Sequence, residues 1–325
     1  MNHFEQMLES VSRTFALSIN YLPEDLQKPV GLAYLLFRVS DCLEDHQSMD
    51  AIRKVTLLEL WAHVLEGEIP ADELTNRLSD LDSKDPEVYV AQHAGDLMDY
   101  LYKLPPELQE MMVTRVKRST LGMSRWQRQG PFVKNVEELD DYMHQVAGRV
   151  GYLMTDIYAW YSPKIHEAKD ELLPMSRDIG LGLQTVNVIR GLRNDYERGW
   201  VFVPGTFLDQ YGLTRDQFFD PNYEDQAINV VNMLAEKAQL HLDYGLAYIA
   251  EFPRYLHRIR LANIWPLFFA IKTLAISRNN IDVIRNEVKI SRQDVKEIIQ
   301  KTTLLGWSDR WLQRYYDKLN QASIL

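Results

Sequence analysis

Cysteine is almost absent. Cys42 stands alone among 325 residues, which excludes an internal disulfide framework and a cysteine-thiolate zinc site and suits a reducing compartment. Glycine (15) and proline (13) are scarce, so collagen-like, low-complexity and linker-rich organisation is out. Cations are in deficit: Lys and Arg total 36 against 46 Asp and Glu, for a formal charge of −10. That balance argues against nucleic-acid binding and against adhesion to anionic lipid, both of which want clustered positive charge. No long apolar run exists either. The stretch Ile264 to Ile276 is broken by Lys272 and is too short to span a bilayer, and the opening MNHFEQMLESVSR is too polar for a signal peptide. A soluble, cytoplasmic protein without a transmembrane anchor is expected. With 46% apolar and 25% charged residues, the chain can build a deep globular core.

Most apolar residues recur every three or four positions, and no alternating run or Asn-Gly hairpin signal competes with that period. The pattern predicts helices over 3–19, 24–46, 51–66, 86–102, 106–128, 136–161, 166–196, 224–251, 255–278 and 291–320. Most prolines punctuate connections, whereas Pro266 falls inside an apolar pattern and should start or kink a helix. The polar stretches near 67–85 and 205–223 read as surface connectors. Without repeats or an interdomain linker, one all-α domain over 1–325 is expected, its C-terminal helix within 296–325.

Two predicted helices are apolar nearly all round yet carry a polar stripe. In GLAYLLFRVSDCLEDH, Tyr34, Arg38, Asp41 and Asp45 share one face, coated by Leu32, Leu35, Leu36, Val39 and Leu43. Such a stripe is expected to point inwards, towards a cavity. Asp41, Glu44 and Asp45 together carry three negative charges, costly in an apolar bundle unless a cation neutralises them. Mg²⁺ is the natural choice, since it takes one or two carboxylates, keeps waters and completes its shell with substrate phosphate. An isolated acidic pair at this spacing is as readily a solvated helix end. In DIGLGLQTVNVIRGLRNDYERG, Gln184, Asn187, Gly191 and Asn194 share a face, with Arg190 and Asp195 beside it. Buried amides and arginine need partners, which a metal-bound diphosphate or another helix could supply.

These segments resemble the squalene and phytoene synthase family of head-to-head prenyl transferases, in order, over roughly residues 8 to 295. SRTFALSINYLP (12–23) is similar to the family's N-terminal segment and AYLLFRVSDCLED (33–45) to its first aspartate-rich motif. YMHQVAGRVGYLMTDIY (142–158) resembles its Tyr-x-x-x-Val-Ala-Gly-x-Val-Gly helix, and LQTVNVIRGLRNDYERGWVFVP (183–204) its second aspartate-rich motif. EVKISRQDV (287–295) resembles a segment near the end of the catalytic domain.

The resemblance implies a helical bundle of the isoprenoid synthase type with a deep central cavity, and Mg²⁺-dependent joining of two farnesyl or geranylgeranyl diphosphates. It implies Asp41, Glu44, Asp45 and Asp195 as metal ligands. Arg13, Arg38 and Arg190 would contact phosphate, and Gln184 and Asn187 would complete the polar rim. Ser12, Phe15, Tyr34, Val146, Val150 and Gly151 would meet substrate, and Tyr142 would line the cavity or relay a proton. Phe269 is a further lining candidate from its apolar context. Gly148 and Gly151 would let a prenyl chain or a neighbouring helix come close. NADPH, used by squalene synthases but not by phytoene synthases, leaves no trace: the chain has neither GxGxxG nor a Walker pattern.

The second motif departs from the family's Arg-Asp-x-x-Glu-Asp, reading Arg190-Gly191-Leu192-Arg193-Asn194-Asp195. The window 191–195 sums to zero charge, leaving Asp195 as its one carboxylate. The resemblance therefore leaves three functions open: a head-to-head synthase with a reduced metal cluster, an enzyme acting on a single prenyl diphosphate, or a non-catalytic binder of lipid or protein. The eight histidines have no spacing suited to a transition metal and are assigned to surface or core. Trp307, Trp311, Tyr315 and Leu319 form one stripe of the last helix, expected to pack on the body, with contact at a membrane interface as the other use.

Overall fold

The structure is a computed structural model describing residues 3–11 and 13–321, with 13–16 described through their backbone alone. The chain opens with α1 (His3–Val11), α2 (Arg13–Tyr21), α3 (Glu24–Asp45) and α4 (Ala51–Leu65). The short α5 (Ala71–Arg77), α6 (Pro86–Gln92) and α7 (Ala94–Leu101) precede the long α8 (Pro106–Gln129). α9 (Val136–Met143) passes through a π-helical turn, His144–Gly148, into α10 (Arg149–Tyr161). α11 (Pro163–Glu167) leads to the 29-residue α12 (Lys169–Glu197). There follow α13 (Gly205–Gln210), α14 (Arg215–Phe218), α15 (Glu224–Leu242), α16 (Tyr244–Glu251), α17 (His257–Ser277), α18 (Asp282–Arg285), α19 (Arg292–Leu305) and α20 (Asp309–Gln321). No strand forms among the described residues beyond one isolated bridge between Phe132 and Val201, so the all-α expectation holds.

The connectors expected at 67–85 and 205–223 contain helices after all: α5 in the first, α13 and α14 in the second. They are too short for a helical period to register in the sequence. Four expected helices are each two: 3–19 gives α1 and α2, 86–102 gives α6 and α7 meeting at His93, 224–251 gives α15 and α16 meeting at Asp243, and 291–320 gives α19 and α20. Pro29, Pro174 and Pro266 all lie within helices, where tertiary packing outweighs the lost backbone bond. Side chains fix several starts. Asp50 accepts from the Arg53 amide at α4, Asp85 from the Glu87 amide at α6, and Ser291 with Asp294 forms a capping box at α19.

The chain forms two compact units, residues 1–130 with 152–169, and residues 131–151 with 170–325. In the first, α3 is the central helix. Leu32, Leu35, Leu36, Val39 and Leu43 are fully buried, each such side chain contributing roughly 1.5–3 kcal/mol. Ser40 and Thr120 share a buried hydrogen bond of 2.7 Å that fixes α3 on α8. Trp61 of α4 and Trp126 of α8 are buried in the same unit.

In the second unit α17 is the core helix, with Ile264, Trp265, Phe268 and Ile271 buried. Residues Arg254–Ser277 are long and apolar enough to cross a membrane, but 67% of their most apolar window is buried inside the protein. Phe268 packs against Tyr315 and Tyr316 of α20, at ring separations of 5.7 and 6.2 Å. Tyr315 and Leu319 are buried while Trp307 is exposed, so the aromatic stripe of the last helix is mostly used in packing. Arg260 is wholly buried. Its guanidinium donates to the carbonyls of Ile249 (2.7 Å) and Phe252 (2.9 Å) and pairs with the carboxylate of Asp309 at the start of α20.

Candidate functional site

The first polar cluster lies in the first unit, on α3. Arg38, 21% exposed at its side chain, donates to Asp41 at 2.9 Å and pairs with Glu87 at the start of α6. Burial pushes the Asp41 carboxyl up to about 6, against the lowering effect of Arg38 and with the help of the Asp45 and Glu87 charges. An acid held in that condition carries a charge its surroundings do not fully support. Tyr34, one turn before Arg38, donates to the carbonyl of Val11 at 3.4 Å.

The stripe does not point inwards along its whole length. Tyr34, Arg38 and Asp41 are half-buried, whereas Asp45 is exposed, because α3 ends at Asp45 and the chain turns away at His46. Glu44 points elsewhere. It is buried, its carboxyl pushed well up by burial and by Asp45 and Asp41, with Lys54 as the opposing cation. Among the described residues, Asp41, Glu44 and Asp45 do not bring three ligand atoms within common reach of one ion. Asp41 and Asp45 are the pair that shares a face.

The second polar cluster lies in the second unit, on α12. The Asn187 amide donates to Gln184 Oε1 at 3.3 Å, the two forming a row one turn long. Arg190 pairs with Glu287 at 3.4 Å, just before α19. Asp195, nearly buried, is held by Arg198 one turn on. Gly191 has open space beside it, since a Cβ there would find only Asp195 Oδ2, at 3.7 Å. Packing does not demand a glycine at this position.

The π-helical turn sits on the Tyr-x-x-x-Val-Ala-Gly stretch and adapts it to α12. A Cβ on Gly151 would stand 2.2 Å from the Ser176 carbonyl oxygen, and one on Gly180 2.6 Å from the Ala147 carbonyl oxygen. A neighbouring helix is therefore what the bare faces of Gly148, Gly151 and Gly180 admit. Tyr142 is buried and stacks on Phe202 at 4.5 Å and 17°, which stacks in turn on Trp200. Val146 and Val150 are half-buried beside this turn, and Phe269 is half-buried on α17. Ser12 and the side chains of Arg13 and Phe15 lie outside the described residues.

Glu87, Glu287, Arg198, Phe202 and Trp200 were not singled out by sequence. Glu87 gives no local sign, being 49 positions from Arg38. Phe202 and Trp200 are visible only as an aromatic run, WVFVP, after the second motif.

A chain that is helical in nearly all of its described elements, with a buried carboxylate on one apolar helix and an amide–arginine row on another, has the frame of an isoprenoid synthase. Residues 8–294 match the squalene/phytoene synthase family model, and the chain belongs to that family. A probable squalene synthase of Neurospora crassa is 28% identical over 300 residues, covering 91% of this chain and 60% of that protein. The squalene synthase of Saccharomyces cerevisiae is 27% identical over 316 residues, covering 93% of this chain and 67% of that protein. The chain thus spans between three fifths and about two thirds of these relatives' length. Among solved structures, TcSQS in complex with the ligand BPH1237 superposes with a TM-score of 0.84 at 23% identity, covering 99% of this chain and 91% of that one. A dehydrosqualene synthase in complex with a ligand gives 0.65 at 15% identity, covering 97% and 96%. At those identities the likeness is one of fold.

Proposed function

We propose that this protein is a prenyltransferase that joins two prenyl diphosphates head to head, with residues 1–325 acting as one catalytic domain. The observation that carries the reading is the Asp41 carboxyl, held near pH 6 by burial on the face it shares with Asp45, within the family's first motif. Hard oxygen donors, one of them carrying a poorly supported charge, fit Mg²⁺, which needs few protein ligands and stays partly hydrated. Asp41 and Asp45 would hold it on the first unit; Asp195 is the candidate carboxylate of the second unit taken by itself. When bound, the ion supplies Lewis-acid stabilisation of the departing diphosphate.

The chain's own residues do the rest. Arg38 keeps Asp41 aimed and brings positive charge to the same face as the phosphate oxygens develop charge. Gln184, Asn187 and Arg190 offer amide and guanidinium donors to diphosphate. Tyr142, kept planar against Phe202, presents an aromatic face worth roughly 0.5–2 kcal/mol to an allylic cation, and its hydroxyl is the candidate for relaying the proton lost on ring closure, passing its own on to the departing diphosphate as it accepts. Val146 and Val150 supply apolar surface for the prenyl chain, and water is kept from the cation by such surface.

A second reading draws on the second cluster. Asp195 is already bonded to Arg198, and Gly191 and Asn194 carry no charge, so fewer carboxylates are available there. A protein so built would ionise one prenyl diphosphate and pass the cation to water or another acceptor. Incubation with farnesyl or geranylgeranyl diphosphate and Mg²⁺, with and without NADPH, separates the two. A thirty- or forty-carbon hydrocarbon or its cyclopropyl diphosphate precursor is the expected product. A prenyl alcohol alone selects the second reading, and unchanged substrate rejects both.

A further inference from the structure

The fold brings His3 to His93 and Asp96, which lie three positions apart and some ninety residues further along the chain. His3 lies in the first turn of α1, His93 at the joint of α6 and α7, and Asp96 in the first turn of α7. Each offers one ligand atom, and the three atoms lie within 4.8 Å of one another. Both histidines are half-buried, and the Asp96 side chain is 45% exposed.

The hydrogen bonds around the rings decide their chemistry. His93 Nδ1 lies 2.7 Å from the Tyr89 carbonyl oxygen. A carbonyl can only accept, so Nδ1 carries the proton and Nε2 keeps its lone pair, the tautomer a metal needs. His3 Nε2 is 3.1 Å from the Tyr89 hydroxyl, and His3 Nδ1 faces Asp96 Oδ2 at 3.6 Å. Across that gap two electron-rich atoms confront each other unless a proton or a cation stands between them. Ligand atoms of a tetrahedral Zn²⁺ bonded at ~2.0–2.1 Å are about 3.3–3.4 Å apart, close to the 3.6 Å between His3 Nδ1 and Asp96 Oδ2. Two imidazoles and one carboxylate are borderline donors, unlike the oxygen-only set of Asp41 and Asp45.

We propose that His3, His93 and Asp96 bind a zinc-class divalent ion that clamps the start of α1 to the α6–α7 joint, with solvent water filling the open fourth position. The role is structural. α1 is otherwise held in this region by buried Phe4, edge-on to Tyr100 at 5.2 Å, and by Met7. The ion would add a link from α1 to the joint that ends α6, whose first turn carries Glu87, the partner of Arg38.

The test uses the tag-free protein of residues 1–325, stripped with chelator and kept in millimolar Mg²⁺ so that oxygen-only sites are filled. Zn²⁺ is titrated calorimetrically, Co²⁺ is followed by its visible absorption, and amide exchange is read in α1. One ion is expected to bind, giving a four-coordinate Co²⁺ spectrum that Zn²⁺ displaces and slowing exchange across α1. His3→Ala and His93→Gln should each weaken binding by about ten-fold or more, the second keeping size and polarity at the joint. His63→Ala, in the exposed group with Glu66 and Glu68, should change nothing. The proposal falls if Zn²⁺ does not bind, if His93→Gln binds as well as wild type, or if His63→Ala abolishes binding. Loss in His3→Ala with retention in His93→Gln would put the ion on the segment around His3 alone, and a pH-dependent His3–Asp96 contact without metal uptake would leave an ordinary ion pair; both outcomes overturn it.

Discussion

Replacing Asp41 by asparagine should stabilise the protein in the absence of Mg²⁺ while removing its turnover. The folded state raises the Asp41 carboxyl from 3.8 to about 6, so between those values the folded chain holds a proton that the unfolded chain has released. Stability must then fall as pH rises through that window, and the loss is complete above it. A shift of about two units corresponds to ~3 kcal/mol. The side chain is 29% exposed, and solvent at that edge screens part of the cost, leaving about 1–2 kcal/mol. Asparagine removes the charge at similar size, and Arg38 keeps Glu87 as its partner. For a chain this long the gain amounts to about 1.5–3 °C in Tm at pH 8, shrinking to roughly a third of that at pH 4.5. Thermal unfolding of wild type and variant at both pH values, with and without Mg²⁺, measures it. Mg²⁺ should raise the Tm of wild type and leave the variant unmoved. A variant less stable than wild type at pH 8, or a gain independent of pH, would refute the reasoning.

Four further outcomes test the same account. Asp45→Asn should abolish prenyl diphosphate turnover in a product assay with a stability change within about 0.5 kcal/mol, because the residue is exposed; an undiminished rate would remove it from the metal site. Gly151→Ala should cost several kcal/mol, on the order of a severe overpacking change, in denaturant unfolding, since its Cβ would meet the Ser176 carbonyl oxygen at 2.2 Å. Gly191→Asp with Asn194→Glu, restoring the family's acidic pattern where space allows, should lower the Mg²⁺ concentration giving half-maximal activity. Gly191→Ala alone should add about 1 kcal/mol of stability by relieving a mid-helix glycine, and equal or lower stability would point to a constraint at that position.

The long helices and the polar stripe of α3 were legible because a repeating period declares itself over many turns: Leu32 to Leu43 is both the pattern and the core. The short α5, α13 and α14 were not, as four to seven residues hold too little of that period. Neither was the break at His93, where the joint residue is a histidine and the nearby Gly95 already lies inside the first turn of α7. At the site, Asp41 and Arg38 came from spacing on one helix. Glu87 and Glu287 came only from tertiary structure, which sets them against Arg38 and Arg190 from distant positions. The exposure of Asp45 was missed for a plain reason: a helical wheel gives direction but not the residue at which the helix stops. The glycine at 191 stands where room is available but not demanded by packing.

The knot at Arg260 bears on where this protein can be shortened. The family match ends at residue 294, yet the carboxylate that neutralises the innermost guanidinium belongs to Asp309. A version trimmed to the matched boundary would strand a cation in oil with only two carbonyls for company, so the smallest self-sufficient form of this molecule has to reach past Asp309.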